Sequence, residues 1–344
     1  MCIKTLKRAI IGKKTPTRGI KILAGKTKII AVTSGDPEGI GPEVIRKSLD
    51  TLKPESALVV IGQSIESAGR NARLITHVDQ IQENGIYFYL VTESQIHTYG
   101  DPSFTYMKLA TDWALQGKIH GLVTGPISKD KWIRAGIRYN GHTDMLARVT
   151  GVRNHCMFFW SKDMKVALFT IHIPLKDVFR HIEKDKIVFF IRFVDSELRR
   201  LFKKRFTFLV SGLNPHAGEN GLMGTEELEA IIPAIDELKS DTPIMGPFPP
   251  DTIFINARET RDSVVISFYH DQGLIAFKLL NIHSGVNMTL GLPFIRTSPD
   301  HGTAYDIAGK GTANPSSMRQ AIALAQYLVR QSAPDALPFD FNGL

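Results

Sequence analysis

Short runs rich in β-branched residues recur along this chain, and each ends in a turn containing glycine, proline or histidine. Helical patterns lie between them. Lys28 to Thr33, Ala57 to Ile61, Ile86 to Val91 and Gly121 to Thr124 read as buried strands. Helices fit Glu43 to Leu52 and the region near Tyr106 to Leu115. Pro42 suits the first position of the former, where its missing N–H costs nothing. Continuous apolar strands alternating with helices require βαβ units and a mainly parallel sheet.

The later part keeps the rhythm. Ser128 is a candidate cap for a helix through Ala135, and a polar Gly141-His142-Thr143-Asp144 turn precedes a helix from Met145 to Val149. Met157 to Trp160 and Val166 to Thr170 pair as strands. A striped helix fits Lys186 to Phe202, and a strand fits Phe206 to Val210. Thr225 caps a helix from Glu226 to Leu238, Pro247 to Asp251 reads as a turn, and Pro315 to Gln331 is the last helix. The stretch from Val264 to Asp306 concentrates the polar chemistry. Its strand, Val264 to Phe268, ends at Tyr269-His270-Asp271-Gln272-Gly273, where open α/β sheets collect ligands.

A chain of 344 residues exceeds one ordinary core, so two domains are expected. The net charge of +8 is misleading. Residues 1–28 hold nine Lys or Arg and no acid. Removing those nine from the total of 42 leaves 33 basic against 34 acidic residues. The basic character belongs to that segment, which is expected to be a disordered leader without an apolar signal core. No RNA- or DNA-binding motif accompanies it. No apolar run reaches membrane-spanning length. Two cysteines, Cys2 and Cys156, exclude a disulfide framework and point to a reducing, cytoplasmic setting.

Three of the eleven histidines, His172, His216 and His270, follow strands in corresponding turns. Imidazoles at strand ends can converge on one divalent ion and leave a coordination position open. Lys278 and Arg296 supply positive charge for phosphate or carboxylate. Asp251 or Asp271 suits a proton acceptor or a group that orients an imidazole. Asp251 and Lys278 are the catalytic candidates. Gly35-Asp36-Pro37-Glu38-Gly39 is a glycine-rich strand-to-helix turn of the kind that cradles phosphate, although it lacks the dinucleotide fingerprint.

Several blocks carry a resemblance. Gly35 through Glu43, Gly141-His142-Thr143, Gly212 through Glu219, Met223-Gly224-Thr225-Glu226-Glu227, Pro250-Asp251-Thr252, Tyr269 through Gly273, and Gly285-Val286-Asn287 through Arg296-Thr297-Ser298 resemble the 4-hydroxythreonine-4-phosphate dehydrogenases of pyridoxal phosphate biosynthesis. The blocks keep the family's order from about residue 29 to 333. His301-Gly302-Thr303-Ala304 with Asp306 through Lys310 is similar to the cofactor loop of isopropylmalate and isocitrate dehydrogenases.

The resemblance implies an isopropylmalate dehydrogenase-like fold, with two α/β/α domains flanking a cleft. A cofactor-side domain takes residues 29–128 plus 298–344, and a metal, substrate and dimerisation domain takes 129–297. It implies NAD or NADP on Asp300, His301, Gly302 and Thr303. One divalent metal (zinc, magnesium or cobalt) falls to His172, His216 and His270, the last from the other subunit of a homodimer. Substrate falls to His142, Thr143, Lys278, Asn287 and Arg296. The implied reaction is oxidation and decarboxylation of a phosphorylated hydroxy amino acid. The alternatives are a dehydrogenase of a four-carbon sugar-acid phosphate, such as D-threonate or D-erythronate 4-phosphate, and a phosphate or acyl transferase of the same fold. A three-histidine metallohydrolase would have no use for the His301 to Lys310 loop.

Overall fold

The computed structural model describes residues 27–331. The basic leader therefore lies outside the described residues except for its last two, as does the end of the cofactor-side segment, 332–344. Twelve strands form one hydrogen-bonded sheet. They are β1 (Ile29–Thr33), β2 (Ala57–Gly62), β3 (Arg73–Ile75), β4 (Gly85–Leu90), β5 (Gly121–Thr124), β6 (Cys156–Trp160), β7 (Lys165–Leu168), β8 (Thr207–Ser211), β9 (Ile244–Phe248), β10 (Ser263–Ser267), β11 (Val286–Leu290) and β12 (Ile295–Pro299). Their order is β3-β4-β2-β1-β5-β12-β11-β6-β7-β10-β8-β9. Pairing is parallel except where β11 meets β12 and β6, and where β6 meets β7. The α/β class and the mainly parallel sheet expected from the strand–helix alternation are what the chain adopts.

The helices are α1 (Gly41–Thr51), α2 (Glu93–Tyr99), α3 (Pro102–Leu115), α4 (Lys129–Arg134), α5 (His142–Thr150), α6 (Leu175–Val178), α7 (Lys184–Phe202), α8 (Ile232–Leu238), α9 (Ile253–Glu259), α10 (His270–Asn281) and α11 (Ser316–Gln331). They lie on both faces of the sheet, as the period-two alternation of strand side chains requires. Ile30, Val32, Val60, Phe158, Val210 and Ile266 face one continuous core with α1, α7 and α11. Ala31, Val59 and Ile61 face a second core with α3. Phe159, Val166, Leu209 and Val265 face a third with α9 and α10. No helix among the described residues is long and apolar enough to cross a membrane.

Several local expectations change. His270 does not sit in a loop: it opens α10, directly after Tyr269. Gly273 lets this helix lie close to the sheet, since a Cβ there would come 2.8 Å from Val166 and 2.9 Å from Leu168 and Ser267. The segment after Thr225 begins with a wide π-turn, Glu227–Ile231, before α8. Pro233 explains the widening, because its ring would crowd the carbonyl of Glu229 in an ordinary turn. Pro247 lies within β9, so the turn expected over Pro247 to Asp251 is confined to the residues after Phe248.

Candidate functional site

Three adjacent parallel strands, β7, β10 and β8, end at one edge of the sheet. His172 follows β7, His270 follows β10 and His216 follows β8. The His172 and His270 rings are neighbours within one chain, with centroids 5.6 Å apart. Burial holds the His172 imidazole below its usual pKa, with Lys129 and His270 adding to the effect, so it stays neutral and free to ligate. His270 Nδ1 lies 2.7 Å from Asp271 Oδ1, which orients the ring and leaves Nε2 for a ligand. The donor set suits a divalent ion. Among the described residues, however, no three potential ligands gather closely enough in one chain to hold a metal.

His216 lies in a left-handed stretch from His216 to Asn220, an unusual backbone for residues other than glycine. The buried Glu227 carboxylate supports this loop. Its Oε1 accepts from the backbone N–H of Leu213 and of Asn214, both at 2.8 Å, and its Oε2 accepts from Asn214 Nδ2 at 2.9 Å. Gln272, one turn into α10, donates to Gly212 O at 2.8 Å and accepts from Phe268 N. The loops carrying His216 and His270 are thus tied together.

Arg296 is the most constrained charge in the site. It stands on β12, 3% exposed, between β5 and β11. Its guanidinium donates to Thr124 Oγ1 at 2.8 Å and to Thr289 Oγ1 at 3.2 Å, and lies 3.3 Å from His142 Nδ1. Among the described residues no carboxylate forms an ion pair with it, and its Nε is buried without a partner. Burial pushes the guanidinium down to about 9. His142, at the start of α5, is held well below the usual histidine range by burial and then by Arg296 and Lys129. Its Nε2 is also buried and unpaired. Thr143 sits beside it, half-buried. Lys129, the first residue of α4, acts electrostatically on both His142 and His172 and so links the two clusters.

Lys278 lies on α10, and its Nζ is 2.8 Å from Oδ1 of the buried Asp300. Asn287 on β11 is half-buried, with its Oδ1 unpaired. The turn after β12 packs on the turn after β1, joining the two ends of the chain. Ile40 N donates to Thr303 O at 2.9 Å, and the Tyr305 hydroxyl donates to Asp36 Oδ2. Lys131 Nζ holds Asp36 and Glu38 at 2.8 Å each. Burial raises the Asp36 carboxyl, but the bonds from Lys131, Tyr305 and the Glu38 N–H outweigh it and keep the group below its ordinary value. Gly302 has open space around it, and the His301 ring is turned onto Gly302 O at 3.0 Å. Asp251 is exposed, just past β9.

His172 and His270 thus neighbour one another, and Lys129 connects them electrostatically with the His142–Arg296 pair. Reading the sequence missed Thr124, Thr289, Lys129, Glu227 and the Asp36–Lys131–Tyr305 group. Of these, Asp36, Glu227 and Thr289 lay in blocks singled out beforehand without a role of their own, and Thr124 and Thr289 reach Arg296 through sheet pairing that no local pattern announces.

Known proteins are similar to this chain in sequence and in fold. A 4-hydroxythreonine-4-phosphate dehydrogenase from Aquifex aeolicus is 42% identical, the match covering 88% of this chain and 98% of that protein. A D-threonate 4-phosphate dehydrogenase from Pectobacterium atrosepticum is 37% identical over 88% of this chain and 99% of its own length. The crystal structure of 4-hydroxythreonine-4-phosphate dehydrogenase from Klebsiella pneumoniae is similar with a TM-score of 0.73 at 35% identity, over 88% of this chain and 100% of that one. A terephthalate 1,2-cis-dihydrodiol dehydrogenase from Burkholderia xenovorans, 22% identical with a TM-score of 0.60 over 88% of this chain and 98% of that one, has the same fold. Residues 42–325 match the family described as pyridoxal phosphate biosynthetic protein PdxA, and the chain belongs to that family.

Proposed function

We propose that this protein carries out the NAD-linked oxidation and decarboxylation of 4-phosphooxy-L-threonine to 3-amino-2-oxopropyl phosphate, a step toward pyridoxal phosphate. Arg296 is the observation that carries this reading. A buried guanidinium whose hydrogen-bond partners among the described residues are threonine hydroxyls and a neutral histidine is costly to keep, and an anionic substrate group offsets that cost. Arg296 with His142 and Thr143 binds the substrate at one end, and Lys278 and Asn287 bind it at the other. The unpaired Asn287 Oδ1 is an acceptor for a hydroxyl or ammonium group.

His172, His216 and His270 hold the divalent ion. Since three ligands do not gather within one chain, the reading includes a partner subunit that completes the site. A homodimer is supported by an exposed apolar face on α9 and α10, where Ile255, Ile275 and Leu279, with Ile282 just past the end of α10, are all more than half exposed. Held by His172, His216 and His270, the ion would supply Lewis-acid polarisation of the substrate's oxygens, and the nicotinamide would supply the hydride acceptor. Asp271 orients His270, which leaves Asp251 as the proton acceptor. His301, Gly302 and Thr303 receive NAD or NADP in the turn packed on the start of α1. Residues 29–128 with 298–331, the described part of the C-terminal segment, form the cofactor-side domain, and 129–297 form the other.

The test is a turnover assay that follows NADH. The purified protein is expected to reduce NAD with 4-phosphooxy-L-threonine, to lose activity with chelator and to regain it with zinc, magnesium or cobalt. Turnover of D-threonate 4-phosphate alone reassigns the substrate and keeps the site. Reduction of neither NAD nor NADP with any phosphorylated four-carbon acid overturns the reading.

A further inference from the structure

We propose that Asp300 is a positioning residue for Lys278, and through it for the substrate, instead of a nucleotide ligand. Asp300 follows β12, while Lys278 stands on α10 in the other part of the sheet. Their ion pair, at 2.8 Å, spans the two. The carboxylate is 8% exposed, and its second oxygen is cut off from water without a partner. The backbone is fixed as well: Asp300 N donates to Ser317 Oγ at 2.9 Å, and that hydroxyl donates to Gly285 O at 2.7 Å.

These contacts leave no accessible carboxylate oxygen to receive ribose hydroxyls. A carboxylate beside a nucleotide diphosphate would also repel it. The pair does suit a lysine that must be held. A lysine stem loses about 2 kcal/mol of rotamer freedom when fixed. A rigid buried carboxylate pre-pays that cost and uses one of the three ammonium protons. The Lys278 side chain remains 42% exposed, so its other protons face outward to a ligand. Burial raises the Asp300 carboxyl against the opposing pull of Lys278, as expected for an acid that depends on this one cation.

The inference rests on the reading of Lys278 as a substrate-holding residue, and its test has an arm independent of that reading. In the full-length protein, Asp300→Asn is expected to raise KM for 4-phosphooxy-L-threonine by about tenfold while KM for NAD changes by less than about twofold. In a Lys278→Ala background, Asp300→Asn is expected to change the substrate KM no further. A rise in KM for NAD alone, or additive effects on substrate in the two backgrounds, overturns the proposal.

The second arm reads melting temperature without substrate. Lys278→Ala leaves a buried unpaired carboxylate, so it is expected to lower Tm, and adding Asp300→Asn to it to restore part of the loss. Additive losses of Tm overturn the pairing. This comparison of Lys278→Ala with the double variant stands even where Asp300→Asn alone folds poorly. If the wild-type protein oxidises no phosphorylated acid, the proposed function fails, and the thermal cycle still decides the pair.

Discussion

Arg296 Nη2 lies 3.3 Å from His142 Nδ1, a contact between two buried basic side chains. A histidine held neutral by burial can stand this close to an arginine because its unprotonated Nδ1 accepts a hydrogen bond from the guanidinium instead of competing as a second cation. The pair leaves room for an anion and charge to receive it. Inorganic phosphate is therefore expected to raise Tm in the wild type, by the linkage that any native-state ligand shows. Arg296→Met should abolish that shift. Arg296→Lys keeps the charge but loses the planar fork, so kcat/KM is expected to fall by about 1.5–3 kcal/mol, which is roughly tenfold to a hundredfold. An unchanged phosphate shift in Arg296→Met would place the anion elsewhere.

The same pair sets an acid limit. The folded pKa of His142 lies well below its ordinary 6.5, whereas the unfolded chain keeps the ordinary value. Below about pH 6.5 the unfolded state binds a proton that the folded state refuses, so stability is full above that pH and lost as pH falls beneath it. His172, also lowered, contributes with the same sign. His142→Asn cannot take up that proton. Chemical denaturation of wild type and variant at about pH 8 and about pH 5.5 is expected to show a smaller acid loss in the variant. Equal losses would show that His142 titrates normally in the folded protein.

Much of the frame was legible because buried parallel strands are continuous apolar runs. The strands ending at Thr33 and Thr124 matched closely, as did the helix that Ser128 caps through a bond from Lys131 N. Other elements carried no such mark. Tyr269 makes no capping bond, so the start of α10 read as a loop. β11 is five residues long and includes Asn287 and Thr289, which dilutes its apolar signal. Glu227 fitted a helix body, yet its carboxylate turns to a loop thirteen and fourteen residues back. His172, His216 and His270 could be marked as strand-end residues, but which two would touch depends on the order β7-β10-β8, a property of the whole sheet.

Glu227 is accordingly expected to matter as much as a ligand. Glu227→Ala would leave the N–H groups of Leu213 and Asn214 without their acceptor, and an unsatisfied buried donor costs about 1–3 kcal/mol. Tm should fall by several degrees, at about 2–4 °C per kcal/mol for a domain of this size. Glu227→Gln keeps one carbonyl acceptor and should lose less. Zinc affinity measured by competition with a chelator should weaken in both, because the His216 loop loses its support. A variant that binds zinc like wild type would confine Glu227 to stability.

The last expected outcome concerns which chain each histidine serves. His172→Ala, His216→Ala and His270→Ala should each cost about a hundredfold or more in turnover, as removal of an electrostatic stabiliser does. The family resemblance implies that His270 crosses to the partner, whereas the 5.6 Å ring contact puts it beside His172 of its own chain. Mixed dimers separate these arrangements. If His172 and His270 of one chain share an ion with His216 of the other, exchanging His172→Ala with His216→Ala subunits rebuilds one intact site, and exchanging His172→Ala with His270→Ala rebuilds none. If His270 crosses instead, His172→Ala with His270→Ala regains activity and His172→Ala with His216→Ala does not. The ring contact makes the first pattern the expected one. Once subunit exchange is verified, the second pattern would show that the neighbouring rings serve different ions, and recovery in neither mixture would place all three ligands in a single chain.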